Sequence, residues 1–262
     1  MKFKIIKNLS RENTNFKSRK DFLRLDKNER VSDFGKNILN KIKISSFDLT
    51  AYPETGPIYQ LIAKYFKIKI NNIVLIPGSE FGYRMCFEYF KKKNKKIISL
   101  SPTFGMIEVY SKLFETKKID VNYDKNFKLN YNYLLKNISS KISLIIIANP
   151  NSPTGTIIEK KKLITIIKKA KKHNVPIIID EAYNGFYKQT YLRYLEKYKN
   201  LLVLRTFSKS FGLAGLRVGF LAANKKLLKE ISKHKPMYEI NSIACKILNQ
   251  FLKSKKISTE YV

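Results

Sequence analysis

LIIIANPNSPTGTIIEKKKLITIIKKAKKHNVPIIID, residues 144–180, holds two short apolar runs separated by a turn-rich segment and an amphipathic stretch. The runs Leu144–Ala148 and Pro176–Asp180 are strand-sized and rich in Ile, which suits strands buried on both faces. Between them, Glu159 to His173 sets Leu163, Ile166, Ile167 and Ala170 on one face of a helix and lysines on the other. Strand, helix and strand in this order predict a parallel pairing with the helix laid over the sheet.

The same alternation extends in both directions. IVLI (73–76), IISL (97–100), LLVLRT (201–206) and LRVGFLAA (216–223) read as strands, and Lys118–Asn122 as a further one. Helical patterns run from Ser79 to Lys93, Phe104 to Leu113, Lys225 to His234 and Asn241 to Leu252. The fold class is therefore α/β, a mostly parallel central sheet with helices on both faces. Residues 1–47 are polar with little periodicity and read as an arm. No internal repeat or low-complexity linker interrupts the chain.

With 262 residues, 44 % of them hydrophobic, the chain can bury a sizeable core in one large domain, with or without a small satellite. No apolar stretch approaches a membrane span, and the basic N-terminus lacks a continuous apolar segment. No membrane partner is expected, and cytoplasmic residence is. Cys86 and Cys245 suit a reducing compartment and are too few for a disulfide framework or a zinc site, so no metal is expected. The net charge of +32 raises the question of nucleic acid. The basic residues are mostly lysine, spread over helix-sized segments such as Lys168–Lys172, and no nucleic-acid-binding motif accompanies them. They read as solvated helix faces, with no nucleic-acid partner.

Ligands of open α/β sheets bind beyond the carboxyl ends of the strands. Unusual residues fall at those places: Gly78 and Ser79, Pro102–Phe104, Asn149–Gly155, Asp180–Tyr183, and Ser208–Lys209. A lone lysine in this chain is ordinarily a surface charge. Lys209 instead sits just past a strand, between two serines and ahead of a Gly-rich turn, where Ser208, Lys209 and Arg217 can converge on one anion. Asp180 ends a run of buried residues, and a bare carboxylate there is costly unless a cation faces it. Gly78-Ser79 opens a helix whose N–H groups can bind phosphate, although such a pair is more often only a cap.

Several segments carry a resemblance when taken in order. They are LDKNER (25–30), AYPETG (51–56), IPGSEFGY (76–83), SPTFGM (101–106), ANPNSPTGT (148–156), IIIDEAYNGFY (177–187), RTFSKSFGLAGLRVGF (205–220) and KPMYEIN (235–241). Together they resemble the motifs of the class I/II aminotransferases, which depend on pyridoxal 5′-phosphate (PLP), and most of all those of the histidinol-phosphate aminotransferases. The resemblance runs from about Leu25 to Ala244 and implies the large domain of PLP fold type I. It implies that Lys209 holds PLP as a Schiff base and moves a proton, that Asp180 faces the pyridine nitrogen, and that Tyr183 bonds the phenolic oxygen. Ser208, Arg217 and the segment Gly78, Ser79, Glu80 would hold the phosphate, with Phe104 stacked on the ring. Ser152 stands where the family has an Asn that reaches the phenolic oxygen; its hydroxyl is shorter, so that hydrogen bond is either missing or bridged by water. Tyr52 would reach the phosphate of a neighbouring subunit's cofactor, which implies a homodimer. Asn28 would contact substrate.

The implied reaction moves an amino group between an amino acid, or an amino-phosphate such as histidinol phosphate, and a 2-oxo acid. Members of the family continue beyond the matching region with a small domain that carries a substrate-clamping arginine. The expected organisation is therefore an arm or part of a small domain at 1–47, a PLP-binding large domain at 48–240, and the incomplete start of the small domain at 241–262. That arrangement would leave the apolar face of the helix Asn241–Leu252 exposed. Two other readings stay open. One is a PLP-dependent decarboxylase of the threonine-phosphate type. The other is a truncated, catalytically poor binding module, favoured by Ser152 and opposed by Lys209, Asp180, Tyr183 and Arg217.

Overall fold

The computed structural model describes residues 18–20, 22–35, 38 and 40–253. Residues 1–17 of the arm and 254–262 of the C-terminal segment lie outside the described residues. Seven strands form one sheet: β1 (Ile73–Ile76), β2 (Lys96–Ser101), β3 (Lys117–Asn122), β4 (Ile142–Ala148), β5 (Ile177–Asp180), β6 (Leu201–Thr206) and β7 (Gly219–Ala223). Their spatial order is β1-β7-β6-β5-β4-β2-β3. β3, β2, β4, β5 and β6 pair in parallel, as the alternating pattern predicts.

The helices follow as α1 (Ser46–Thr50), α2 (Gly56–Phe66), α3 (Ser79–Phe90), α4 (Met106–Leu113), α5 (Tyr131–Asn137), α6 (Lys160–Lys172), α7 (Lys225–Ile231) and α8 (Ser242–Lys253). The sheet alternation sorts them. Leu75, Ile145, Ile147, Ile177, Ile179 and Val203 point to the face covered by α2, α6 and α8. Val74, Ile76, Ile146, Ile178, Leu202 and Leu204 point to the face covered by α3, α4 and α7. In α6, lysines fill the first turn, where they oppose the helix dipole by roughly 0.3–1 kcal/mol each. Burial of Leu163, Ile166 and Ile167 contributes roughly 1.5–3 kcal/mol each and decides the outcome. The lysines of this helix lie mostly on its solvent side.

The structure adds three helices that the sequence reading does not contain, α1, α2 and α5, and differs from it at further points. β7 runs antiparallel to both neighbours, β1 and β6. The strand read as 216–223 starts only at Gly219, because Ala214–Leu216 forms a 3-10 turn and Arg217 takes a left-handed φ of 53°. α3 ends earlier than its pattern, at Phe90, where the buried positions give out, and the pattern read to His234 is α-helical only to Ile231, with Ser232–His234 completing it as a 3-10 turn. The apolar face of α8 is covered rather than exposed. Ala244, Cys245, Leu248, Phe251 and Leu252 are buried, α8 packs on α2, and Phe34 meets Phe251 edge-on at 5.1 Å.

Candidate functional site

Parallel β1, β2, β4, β5 and β6 bring their carboxyl ends to one edge of the sheet. The reversed β7 adds its amino end to the same edge. Gly219 is registered against Ile76 on one side and Thr206 on the other, so the segment before it lies beside the turns that leave β1 and β6.

Those turns build an anion cradle. Gly78 has φ 81° and ψ 159°, a region open essentially to glycine alone. A Cβ there would stand 2.6 Å from Nη2 of Arg217, so the missing side chain makes room for the guanidinium. A Cβ on Gly219 would meet the carbonyl oxygen of Arg205 at 2.6 Å and the backbone nitrogen of Ser79 at 3.0 Å. Arg217 donates from Nη1 to the Ser208 hydroxyl at 3.3 Å, and Thr206 donates from Oγ1 to the same hydroxyl at 3.0 Å. Ser208 is buried while Arg217 is exposed. A fixed hydroxyl, a cation and the N-terminal turn of α3 thus meet at one point, a donor set with the chemistry to hold an anion.

Asp180 closes β5 with its carboxylate only 5 % exposed. Oδ2 accepts from the Tyr83 phenol at 2.5 Å and Oδ1 from the Ala182 N–H at 2.8 Å. Burial pushes the carboxyl up to about 6, helped by the charge of Glu181 and opposed by both hydrogen bonds and by Arg205. Phe104 lies on the open side, with its ring centroid 5.9 Å from that of Tyr83.

Lys209, half-buried, donates from Nζ to the carbonyl oxygens of Lys27 at 2.7 Å and Asn28 at 3.1 Å. The same Nζ stands 5.7 Å from the centroid of the Tyr183 ring. The Tyr183 hydroxyl accepts from Asn28 Nδ2 at 2.9 Å and donates to Ser152 Oγ at 3.5 Å, a long contact. Asn28, Ser152, Tyr183 and Phe186 line an open cleft of about 390 Å³.

A buried ion pair supports these loops. Arg205 on β6 meets Glu181 at 2.7 Å and bonds Asn184 and Thr190, while Ser210 Oγ donates to the Asn184 carbonyl at 2.7 Å. The loop of Tyr183 and the loop of Lys209 are thereby tied to one scaffold.

Most of the sequence-predicted residues converge, in three adjoining groups: Gly78, Ser79, Ser208 and Arg217; Asp180 and Phe104; and Lys209, Tyr183, Ser152 and Asn28. The Glu80 carboxylate instead accepts from the hydroxyl of Tyr110 on α4 at 3.2 Å. Tyr52 stands apart, 72 % exposed and stacked on Tyr238 with centroids 4.0 Å apart. Tyr83, Thr206, Glu181 and Arg205 were not singled out from the sequence. Tyr83 lies one helical turn beyond Ser79 at a position that reads as ordinary core, and its partner is 97 residues away.

The profile of the family described as aminotransferase class I and II matches residues 45–262. The histidinol-phosphate aminotransferase of Clostridium novyi (strain NT) is 38 % identical over 251 residues, which cover 94 % of this chain and 70 % of that protein. Among solved structures, the histidinol-phosphate aminotransferase from Clostridium acetobutylicum superposes with a TM-score of 0.75 at 27 % identity, covering 86 % of this chain and 68 % of that one. The fold is also that of the histidinol-phosphate aminotransferase from Sinorhizobium meliloti, solved with pyridoxal 5′-phosphate, at a TM-score of 0.78 and 18 % identity over 90 % of this chain and 65 % of that one.

Proposed function

The chain belongs to the class I and II aminotransferases, and on that premise we propose that it holds PLP and moves an amino group between an amino acid, or an amino-phosphate such as histidinol phosphate, and a 2-oxo acid. The convergence of a lysine, a buried carboxylate and an anion cradle on one sheet edge carries this reading. The residues fit the cofactor on chemical grounds. The space left by Gly78 beside Arg217 and Ser208 suits a phosphate. Asp180, its carboxyl raised by burial, suits a protonated ring nitrogen, which would repay the loss of water. Lys209 offers the amine that bonds the carbonyl carbon, and Tyr183 a hydroxyl for the phenolic oxygen.

When bound, PLP supplies an electron sink for the pair of electrons left when the substrate's α-proton departs. The protein's part is binding, orientation and proton handling. Ser208, Arg217 and the N–H groups at Ser79 and Glu80 fix the phosphate end. Asp180 would hold the ring nitrogen charged, and Phe104 would offer its ring to one face of the cofactor. Lys209 would bond the cofactor's carbonyl carbon through Nζ and, as a free amine, would be the group that accepts the proton from the substrate's α-carbon and gives it back. Asn28 and Tyr183 orient the substrate side of the cleft.

The same reading assigns 48–240 to a cofactor-holding large domain, 1–47 to an arm or part of a small domain, and 241–262 to the start of a small domain, of which α8 packs on α2. The exposed Tyr52 supports a homodimer in which it serves the neighbouring subunit's phosphate. Free Cys86 and Cys245 support a cytoplasmic setting. Among the described residues no helix is long and apolar enough to cross a membrane.

The direct test mixes PLP-loaded protein with single amino donors, glutamate and histidinol phosphate among them, and follows the loss of the visible band and the appearance of the keto product. Product formation that requires Lys209 supports the reading. Release of CO₂ without a keto product overturns it in favour of a decarboxylase.

A further inference from the structure

Tyr83 is fully buried on α3 among Ile76, Met85, Leu204 and other residues of the core on that face of the sheet. A phenol in such a place needs a partner for its hydroxyl. That partner is Asp180 Oδ2 at 2.5 Å. Burial, and then the adjacent Asp180 charge, push the phenol well above its usual range, so it stays protonated and always donates. The other oxygen of Asp180 is held by the Ala182 N–H. The remaining charged or titratable groups facing this pair are Glu181 beside Asp180, Arg205 on β6 and Cys86 on α3. Of these, Arg205 is committed to Glu181. Tyr83 is therefore the one side chain that hydrogen-bonds the Asp180 carboxylate among the described residues.

We propose that Tyr83 is a positioning residue for the cofactor's ring nitrogen: its hydroxyl fixes the direction of the Asp180 carboxylate and favours its ionised form, an inference that rests on Asp180 being the ring-nitrogen partner. A donor to the charged form works against the burial that favours the neutral form. A tyrosine that merely filled the core would be replaced by phenylalanine without consequence for the carboxylate.

The test uses Tyr83→Phe, and protein carrying 3-fluorotyrosine at position 83, whose stronger donor keeps the bond. In apoprotein with ¹³C-labelled aspartate, the Asp180 signal is assigned by its absence in Asp180→Asn and titrated. The midpoint should rise by about one unit in Tyr83→Phe, the scale of one hydrogen bond to a charged group, and fall with 3-fluorotyrosine. The pH profile of PLP dissociation, read by cofactor fluorescence, should move with it. In Tyr83→Phe affinity should weaken about fivefold near pH 6, approach tenfold below about pH 5, and recover at higher pH, where the carboxylate is again ionised. An unmoved midpoint in both proteins overturns the proposal. If Asp180→Asn keeps the parent's pH profile, the role of Asp180 fails and the proposal with it. If Asp180→Asn abolishes that profile while Tyr83→Phe leaves it in place, the proposal alone fails.

Discussion

Lys209 donates from Nζ to the carbonyl oxygen of Lys27 at 2.7 Å, joining positions 182 residues apart. With the bond to Asn28, this contact occupies the amine that the proposed reaction needs. Capture of PLP has to release it. We expect PLP to give a visible absorption band, borohydride to fix the cofactor on the Lys209 peptide, and amide exchange at residues 27–28 to change on loading. Lys209→Ala should show none of these. An adduct on the same peptide in that variant would contradict the assignment.

Gly78→Ala places a Cβ against Arg217 and imposes a backbone region that other residues avoid. The strain should destabilise the apoprotein by about 1–3 kcal/mol and move the guanidinium off the cradle, weakening PLP as well. Denaturant unfolding and PLP titration read the two effects separately. Parent values in both would mean that the cradle tolerates a side chain.

Asp180→Asn should lower turnover on the order of 10²-fold or more, the usual scale for losing a positioned electrostatic group. Its effect on stability has the opposite sign. Burial holds the Asp180 carboxyl at about 6 against an ordinary 3.8, so the folded protein takes up a proton between those values. The group favours the fold fully below about pH 4 and withdraws that support as pH rises through about 6, a difference of about 3 kcal/mol. The apoprotein of Asp180→Asn should therefore gain on the parent by up to that amount between pH 4 and pH 7. A gap between the two proteins that stays constant with pH would refute this sign.

Ser152 meets Tyr183 at 3.5 Å, whereas Asn28 meets the same hydroxyl at 2.9 Å. The sequence points to Ser152 as the stand-in for a missing amide; the geometry gives the stronger bond to Asn28. Ser152→Ala should change PLP affinity little, and Asn28→Ala should weaken it by about 1 kcal/mol. Fluorescence titration of both variants checks the order, and a larger effect in Ser152→Ala would reverse it.

Arg205→Met removes one half of the buried pair with Glu181. It leaves a buried carboxylate without its cation and should destabilise the protein by roughly 3–5 kcal/mol, seen as an earlier denaturant midpoint. A change within about 0.5 kcal/mol would mean that Glu181 finds other compensation.

Much of this site is legible in the sequence because it hangs on strand ends. Asp180 follows three isoleucines and Lys209 follows LLVLRT, so the places where the chain leaves the sheet can be read off the apolar runs. The direction of β7 cannot be. All of Gly219–Ala223 is buried, and a strand apolar on both faces carries no mark of which way it runs. The twelve residues between Thr206 and Gly219 fold as turns and a 3-10 segment, without the helix that a parallel crossover needs. Tyr83 and the Glu181–Arg205 pair were hidden for a different reason: their partners come from other elements, and neither periodicity nor local spacing reports a contact made only by tertiary packing.

The reversal of β7 also sets an order of assembly. β1 lies at the sheet edge, and its one strand neighbour is β7, with Ile73 opposite Ala222. A ribosome must therefore extrude about 150 further residues after β1 before that strand can be zipped into the sheet, and closing so long a loop is entropically slow. Until then Gly78 and Arg217 have no common anchor. A nascent chain can dock α6 between β4 and β5 early, yet it cannot grip an anion until the last strand has slid between the first and the sixth. Loading of a phosphate-bearing cofactor would therefore wait for β7 to be made and correctly paired.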